Sequence, residues 1–263
     1  MNLLWYSTRA TGEVALLFLT IVLTLGVLSA LRVGGRRAPR FVLAGLHRTL
    51  TLAALGFLAV HIATTVADSY APITVTDVVV PFGSAYRPIW LGLGTVAFDL
   101  LAVLTATSLL RTRLGFRRWK ALHWAAYACW LAAFVHALGT GSDVRSSLFL
   151  MLAGVCAAAA LAAVAWRLAA GGSGNAGLRA GAGLLTLVAV LAVGAWTVSG
   201  PLAGGWARRA GTPASLLGNA GTPDTKASTG TTGNTPAPRS TRATPPAGDR
   251  DDDGDGDEGG DEE

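Results

Sequence analysis

Six long apolar stretches, at residues 12–32, 42–67, 89–110, 120–139, 147–168 and 178–199, constrain this chain of 263 residues more than anything else in it. Each is near or above the roughly 20 residues that an α-helix needs to cross the hydrocarbon core of a bilayer. The first is too long, and too uncharged at its front, to be a simple signal peptide. With 51% hydrophobic and only 14% charged residues, the balance is that of a membrane protein. The expected fold is all-α: a polytopic bundle of six transmembrane helices over residues 1–200. After Gly200-Pro201 the composition turns to Gly, Ala, Thr, Pro and Ser and ends in an acidic run over 249–263. Such a segment buries too little apolar surface to offset ordering entropy, so residues 201–263 are expected to be a disordered tail.

Charge predicts the orientation. Ten of the sixteen acids lie in 249–263, which leaves 20 basic and 6 acidic residues in the rest. The connections after the first, third and fifth stretches hold Arg32, Arg36, Arg37 and Arg40, then Arg111, Arg113, Arg117, Arg118 and Lys120, then Arg167 and Arg179, with no acid. The opposite side carries Arg9, Arg87 and Arg145 against Glu13, Asp68, Asp77 and Asp143. The positive-inside rule puts the first set in the cytoplasm and both termini outside it. Basic residues placed between apolar stretches suit lipid head groups and topology, and nucleic acid is not an expected partner.

The only four histidines, His47, His61, His123 and His136, all lie within apolar stretches. The first pair is 14 positions apart and the second 13, so each spans about 20 Å of helix axis. Two helices carrying such pairs can face each other and offer two stacked His/His sites, which is what bis-histidine ligation of two b-type haems requires. At about 100° per residue, 14 steps return to within about 40° of one face, whereas 13 end about 140° away. The helix bearing His123 and His136 therefore needs tilt, a kink or a π- or 3₁₀-type irregularity. Ionisable residues at membrane depth are costly and usually functional.

Other features weigh less. Arg48, Arg111 and Arg113 at the cytoplasmic end, and Tyr86, Arg87 and Arg145 at the other, are candidates to pair with haem propionates. Trp119 and Tyr127 share the helical face of His123, while Phe57, Trp130 and Phe134 lie between the two histidine levels. The loop 68–88, broken by Pro72, Pro81, Gly83 and Pro88, is expected to fold over the outer site. Gly56 with Ala53, and Gly92 with Gly94, would let helix backbones approach. Asp99, midway along the third stretch, is either hydrogen-bonded between helices or part of a proton path. Cys129 and Cys156 read as core residues. Gly172, Gly174 and Gly177 match G-x-G-x-x-G without a preceding strand. Asp251, Asp253, Asp255, Gly256 and Glu262 match the ligand pattern of a calcium loop without flanking helices, so loose cation attraction is the expectation. Hydrolytic chemistry has no support: there is no Ser/His/Asp set, no thiolate nucleophile and no carboxylate pair at a catalytic spacing.

His47-x13-His61, one intervening helix, then His123-x12-His136 resembles the ferric reductase-like transmembrane domain family. That family includes NADPH oxidases, yeast-type ferric reductases and the haem subunit of bacterial methionine sulfoxide reductase. Arg9-Ala-Thr-Gly12, Tyr86-Arg87-Pro88, Trp119-x3-His123 and His136-x2-Gly139-Thr140-Gly141-Ser142-Asp143 are similar to its bacterial members. The resemblance covers residues 1–170 or so. It implies that His47 and His123 hold an inner haem iron, and His61 and His136 an outer one. It also implies electron transfer from a cytoplasmic flavin, or from quinol, to an acceptor across the membrane. No flavin or nicotinamide domain follows the last helix, so FAD and NAD(P) sites are not expected. The donor would be a separate flavoprotein or quinol, and the acceptor an extracytoplasmic flavoprotein, ferric iron, oxygen or methionine sulfoxide. Two competing readings are a non-haem metal or ion carrier that uses the four histidines as transition-metal ligands, and a membrane anchor that displays the acidic tail.

Overall fold

The computed structural model describes residues 3–32, 39–141, 143–170 and 176–217. In chain order the helices are α1 (Leu3–Ala30), α2 (Arg40–Ala67), α3 (Val75–Val79), α4 (Pro88–Leu109), α5 (Arg111–Leu114), α6 (Phe116–His123), α7 (Ala125–Thr140), α8 (Ser147–Ala169), α9 (Ala176–Ser199) and α10 (Trp206–Arg209). Six segments are long and apolar enough to cross a membrane: α1, α2, α4, α6 with α7, α8 and α9. The chain is a multi-pass membrane protein of all-α architecture. Arg36, Arg37, Ser142, Gly172, Gly174 and the calcium-like motif of the acidic run lie outside the described residues.

Local chemistry sets several boundaries. Pro88 opens α4 at a position where no backbone donor is needed. The Ser146 hydroxyl accepts the Phe149 N–H at 3.2 Å and caps α8. Gly115, at φ 78°, separates α5 from α6 in a conformation that glycine adopts without strain. Between α6 and α7 the helix is interrupted at Trp124, where i→i−3 bonds replace the regular ladder. The Trp124 N–H donates to the Ala121 carbonyl at 3.3 Å and the Tyr127 N–H to the Trp124 carbonyl at 3.2 Å. This is a 3₁₀-type irregularity, one of the departures from a regular helix that the 13-residue histidine interval allows.

The hub is α1, which packs against α2, α7 and α8, while α4 packs against α7. Leu16, Phe134, Leu138, Phe149, Ala153 and Cys156 form the main buried cluster. The small residues Ala153, Cys156, Ala160 and Ala163 make up most of the buried face of α8 and allow close helix packing. Both cysteines are buried and free, and Cys129 donates to the Ala97 carbonyl at 3.3 Å. Gly56 corrects an expectation, since a Cβ placed there would meet nothing within 4 Å and no backbone approaches it. Gly92 does admit a close neighbour, but it is the Phe82 ring and not another helix.

Order also continues past Gly200, into residues that composition assigns to the tail. Residues 201–217 form turns, α10 and a short 3₁₀ turn, Ala214–Leu216. The Trp206 indole N–H donates to the Gly139 carbonyl at 3.1 Å, and its ring lies 5.2 Å from Trp90 and 5.8 Å from Trp196. One half-buried tryptophan and backbone acceptors on other helices supply the stabilisation that average composition does not reveal.

Candidate functional site

The antiparallel pair α1 and α2 holds two of the four histidines in register. His61 Nδ1 lies 2.7 Å from the Thr8 carbonyl, and His47 Nδ1 lies 3.0 Å from the Val22 carbonyl. On the other side, His136 Nδ1 lies 2.9 Å from the Trp90 carbonyl of α4. A carbonyl can only accept, so each of these three Nδ1 atoms carries the proton, and Nε2 is left with a free lone pair. That is the form in which histidine binds a metal, its remote N–H fixed by a backbone oxygen. His123 differs: its Nδ1 is buried without a hydrogen-bond partner, and its ring stacks on Trp119 at 4.9 Å and 29°.

The structure brings the four together in two pairs, His47 with His123 and His61 with His136. Their ring centres are 6.5 Å and 6.4 Å apart, at interplanar angles of 61° and 84°. Two imidazoles on opposite sides of one ion, each about 2.0–2.1 Å from it and with about 1.15 Å from nitrogen to ring centre, place those centres about 6.4 Å apart. The separations, 6.5 and 6.4 Å, lie within about 0.1 Å of that figure. Among the described residues no group of three or more His, Cys, Asp or Glu gathers as it would around a bare ion. The pairs therefore suit an ion whose remaining ligands come from a planar macrocycle, and the donor set fits haem.

A cavity of about 270 Å³ adjoins the His61/His136 pair, lined by Thr8, Gly12, Gly94 and Phe98 among others. Asp68, Tyr70, Ile73, Asp77 and Tyr86 from the 68–87 loop also line it, as expected of that loop. The Thr95 hydroxyl donates to the Asp77 carbonyl at 2.7 Å and ties the loop to α4. Arg9 forms an ion pair with Asp143 and lies over the Trp5 ring. Burial pushes the Tyr86 phenol above its ordinary value, against the opposing pull of Arg87.

The arginines divide. Arg87 is 4% exposed. Its Nε donates to the Thr212 hydroxyl at 2.9 Å and one Nη donates to the Gly139 and Thr140 carbonyls at 3.0 Å each. It is thus employed in joining α4, α7 and the segment after α9, a role that sequence reasoning missed. Arg48, Arg111 and Arg113 are exposed. Arg145 donates to the Leu202 carbonyl at 3.0 Å. Near His123 the structure adds Arg167, whose guanidinium lies 4.3 Å over Trp124 and 5.8 Å over Tyr127. Asp99 is half-buried on α4 and does not line the cavity.

Comparison with known proteins gives one match. Residues 11–134 match the family model described as ferric reductase like transmembrane component. Neither the curated proteins nor the solved structures contain a match to this chain.

Proposed function

With residues 11–134 forming a ferric reductase-like transmembrane domain, we propose that this protein is a di-haem b-type cytochrome carrying electrons across the bacterial cytoplasmic membrane. His47 and His123 hold the inner haem, and His61 and His136 the outer one. The observation that carries this reading is the pair of ring separations, 6.5 and 6.4 Å, each the span of two imidazoles across one ion. A bound haem supplies one-electron chemistry, and the protein supplies position, potential and exclusion of water. Here the Thr8, Val22 and Trp90 carbonyls orient the imidazoles, and the apolar helices keep the sites dry. The two levels are about 20 Å apart along α2 by helix rise. Trp130 and Phe134, stacked at 5.1 Å, pack between them.

The Arg-rich connections face the cytoplasm under the positive-inside rule, so both termini lie outside. Electrons enter from a cytoplasmic flavoprotein or from quinol. They leave for an extracytoplasmic flavoprotein, ferric iron or a similar acceptor, for which the loop-lined outer cavity offers an approach. Arg48 stands at the inner membrane edge, suited to a propionate. The metal-carrier reading is the weaker, because the histidines come in twos with no third protein ligand among the described residues.

A dithionite-reduced minus oxidised spectrum with a pyridine haemochrome count tests the proposal. Two b haems per chain are expected, and His61→Ala and His123→Ala should each remove one. A colourless preparation from cells well supplied with haem overturns it.

A further inference from the structure

Three of the four histidines share one local device. The carbonyl that holds each Nδ1 belongs to the residue four before a glycine: Thr8 before Gly12, Val22 before Gly26 and Trp90 before Gly94. A Cβ at Gly94 would lie 2.5 Å from His136 Nδ1, and one at Gly12 2.9 Å from His61 Nδ1. At Gly26 the approach is looser, 3.5 Å to His47 Cε1. Helical side chains lean toward the N-terminus, so the residue at i+4 covers the carbonyl of residue i. A glycine there uncovers that oxygen, whose second lone pair remains free after the helix's own hydrogen bond. On α1 the two devices are 14 residues apart, the same interval as His47 to His61, so one antiparallel register serves both levels.

We propose that Gly12, Gly26 and Gly94 are positioning residues that open a backbone carbonyl to the imidazole and thereby set the donor strength of His61, His47 and His136. The inference rests on the di-haem reading. An imidazole whose remote N–H is held by a carbonyl is a more basic ligand, and it favours the oxidised iron. His123 has no such device. The same 14-residue step along α4 from Gly94 leads to Ser108, whose hydroxyl accepts the Trp119 indole N–H at 3.3 Å. The His61/His136 site therefore has two anchored imidazoles and the His47/His123 site one.

The test is a potentiometric titration of the full chain, with haem counted, for Gly12→Ala, Gly94→Ala and Gly26→Ala. Gly154→Ala, where a Cβ meets nothing within 4 Å, is the helix-glycine control. Gly12→Ala and Gly94→Ala are expected to raise the midpoint of the haem that His61→Ala removes, leaving the other midpoint in place. Gly94→Ala should act more strongly than Gly12→Ala, and Gly26→Ala should move the other haem's midpoint least. If Gly94→Ala sheds its haem outright, the direction of the Gly12→Ala shift decides. Midpoints unmoved in a Gly12→Ala protein that keeps both haems, or shifts shared equally by both, overturn the proposal. A wild-type chain without haem fails the di-haem reading itself, so the two failures are told apart.

Discussion

His123 is the least supported of the four imidazoles, with an unpaired Nδ1 and a stacking partner in Trp119. Removing that partner takes away ring contact worth about 0.5–1.5 kcal/mol beyond the buried area. Trp119→Ala should lower haem stoichiometry from two toward one, losing the His47/His123 haem first; retention of both under mild detergent would contradict this. Arg87 is the opposite case. Its buried guanidinium serves three acceptors, and Arg87→Ala leaves the Thr140 carbonyl and the Thr212 hydroxyl without this donor and the Gly139 carbonyl with Trp206 alone. A cost of about 2–3 kcal/mol follows from unsatisfied buried groups, and a lowered unfolding temperature in a detergent melt is the check. The residue types gave no hint of this role: Arg87 adopts φ 43° at the head of α4, and its acceptors are 52 and more residues away.

At the scale of elements, the broken helix α6–α7 is one of the three solutions, with tilt and a kink, that arithmetic on the sequence allowed. Thirteen residues do not return to one face of a regular helix, and the interruption at Trp124 lies between the two histidines it must reconcile. The 68–87 loop was legible as a fold-over segment from its prolines. What secures it was not legible, because it depends on the Thr95–Asp77 hydrogen bond and on Phe82 occupying the notch at Gly92, where a Cβ would clash with the ring and backbone N of Phe82. Phe82→Ala should free the loop without unfolding the bundle. Limited proteolysis within 68–87 is then expected to quicken several-fold while the helices resist, and unchanged cleavage would show that the notch is not what holds it.

For the molecule as a whole, the segment after α9 reaches the histidines indirectly. Trp206 packs on Trp90, which also stacks with Trp196 at 4.6 Å, and the Trp90 carbonyl holds His136. Truncation after Leu217 should leave both haems and the unfolding temperature intact. Truncation after Ser199 removes Trp206 and Thr212, and with them the ring packing on Trp90 and the hydrogen bonds to Gly139 and Arg87. It should weaken the His61/His136 haem selectively. Equal haem content in the two truncated chains would remove the connection.

Six spans, the near-equal spacing of the two histidine pairs, and the need for tilt, a kink or an irregularity between His123 and His136 were determined by the sequence alone. Lipid leaves an apolar backbone few alternatives to helix, and helical periodicity is a local property of the chain. Only the tertiary structure decided which carbonyl each imidazole meets, that Arg87 is a structural clasp, and that residues 201–217 are folded. Those outcomes join residues from 25 to 125 positions apart, and helical periodicity, a local property, does not specify contacts across such separations.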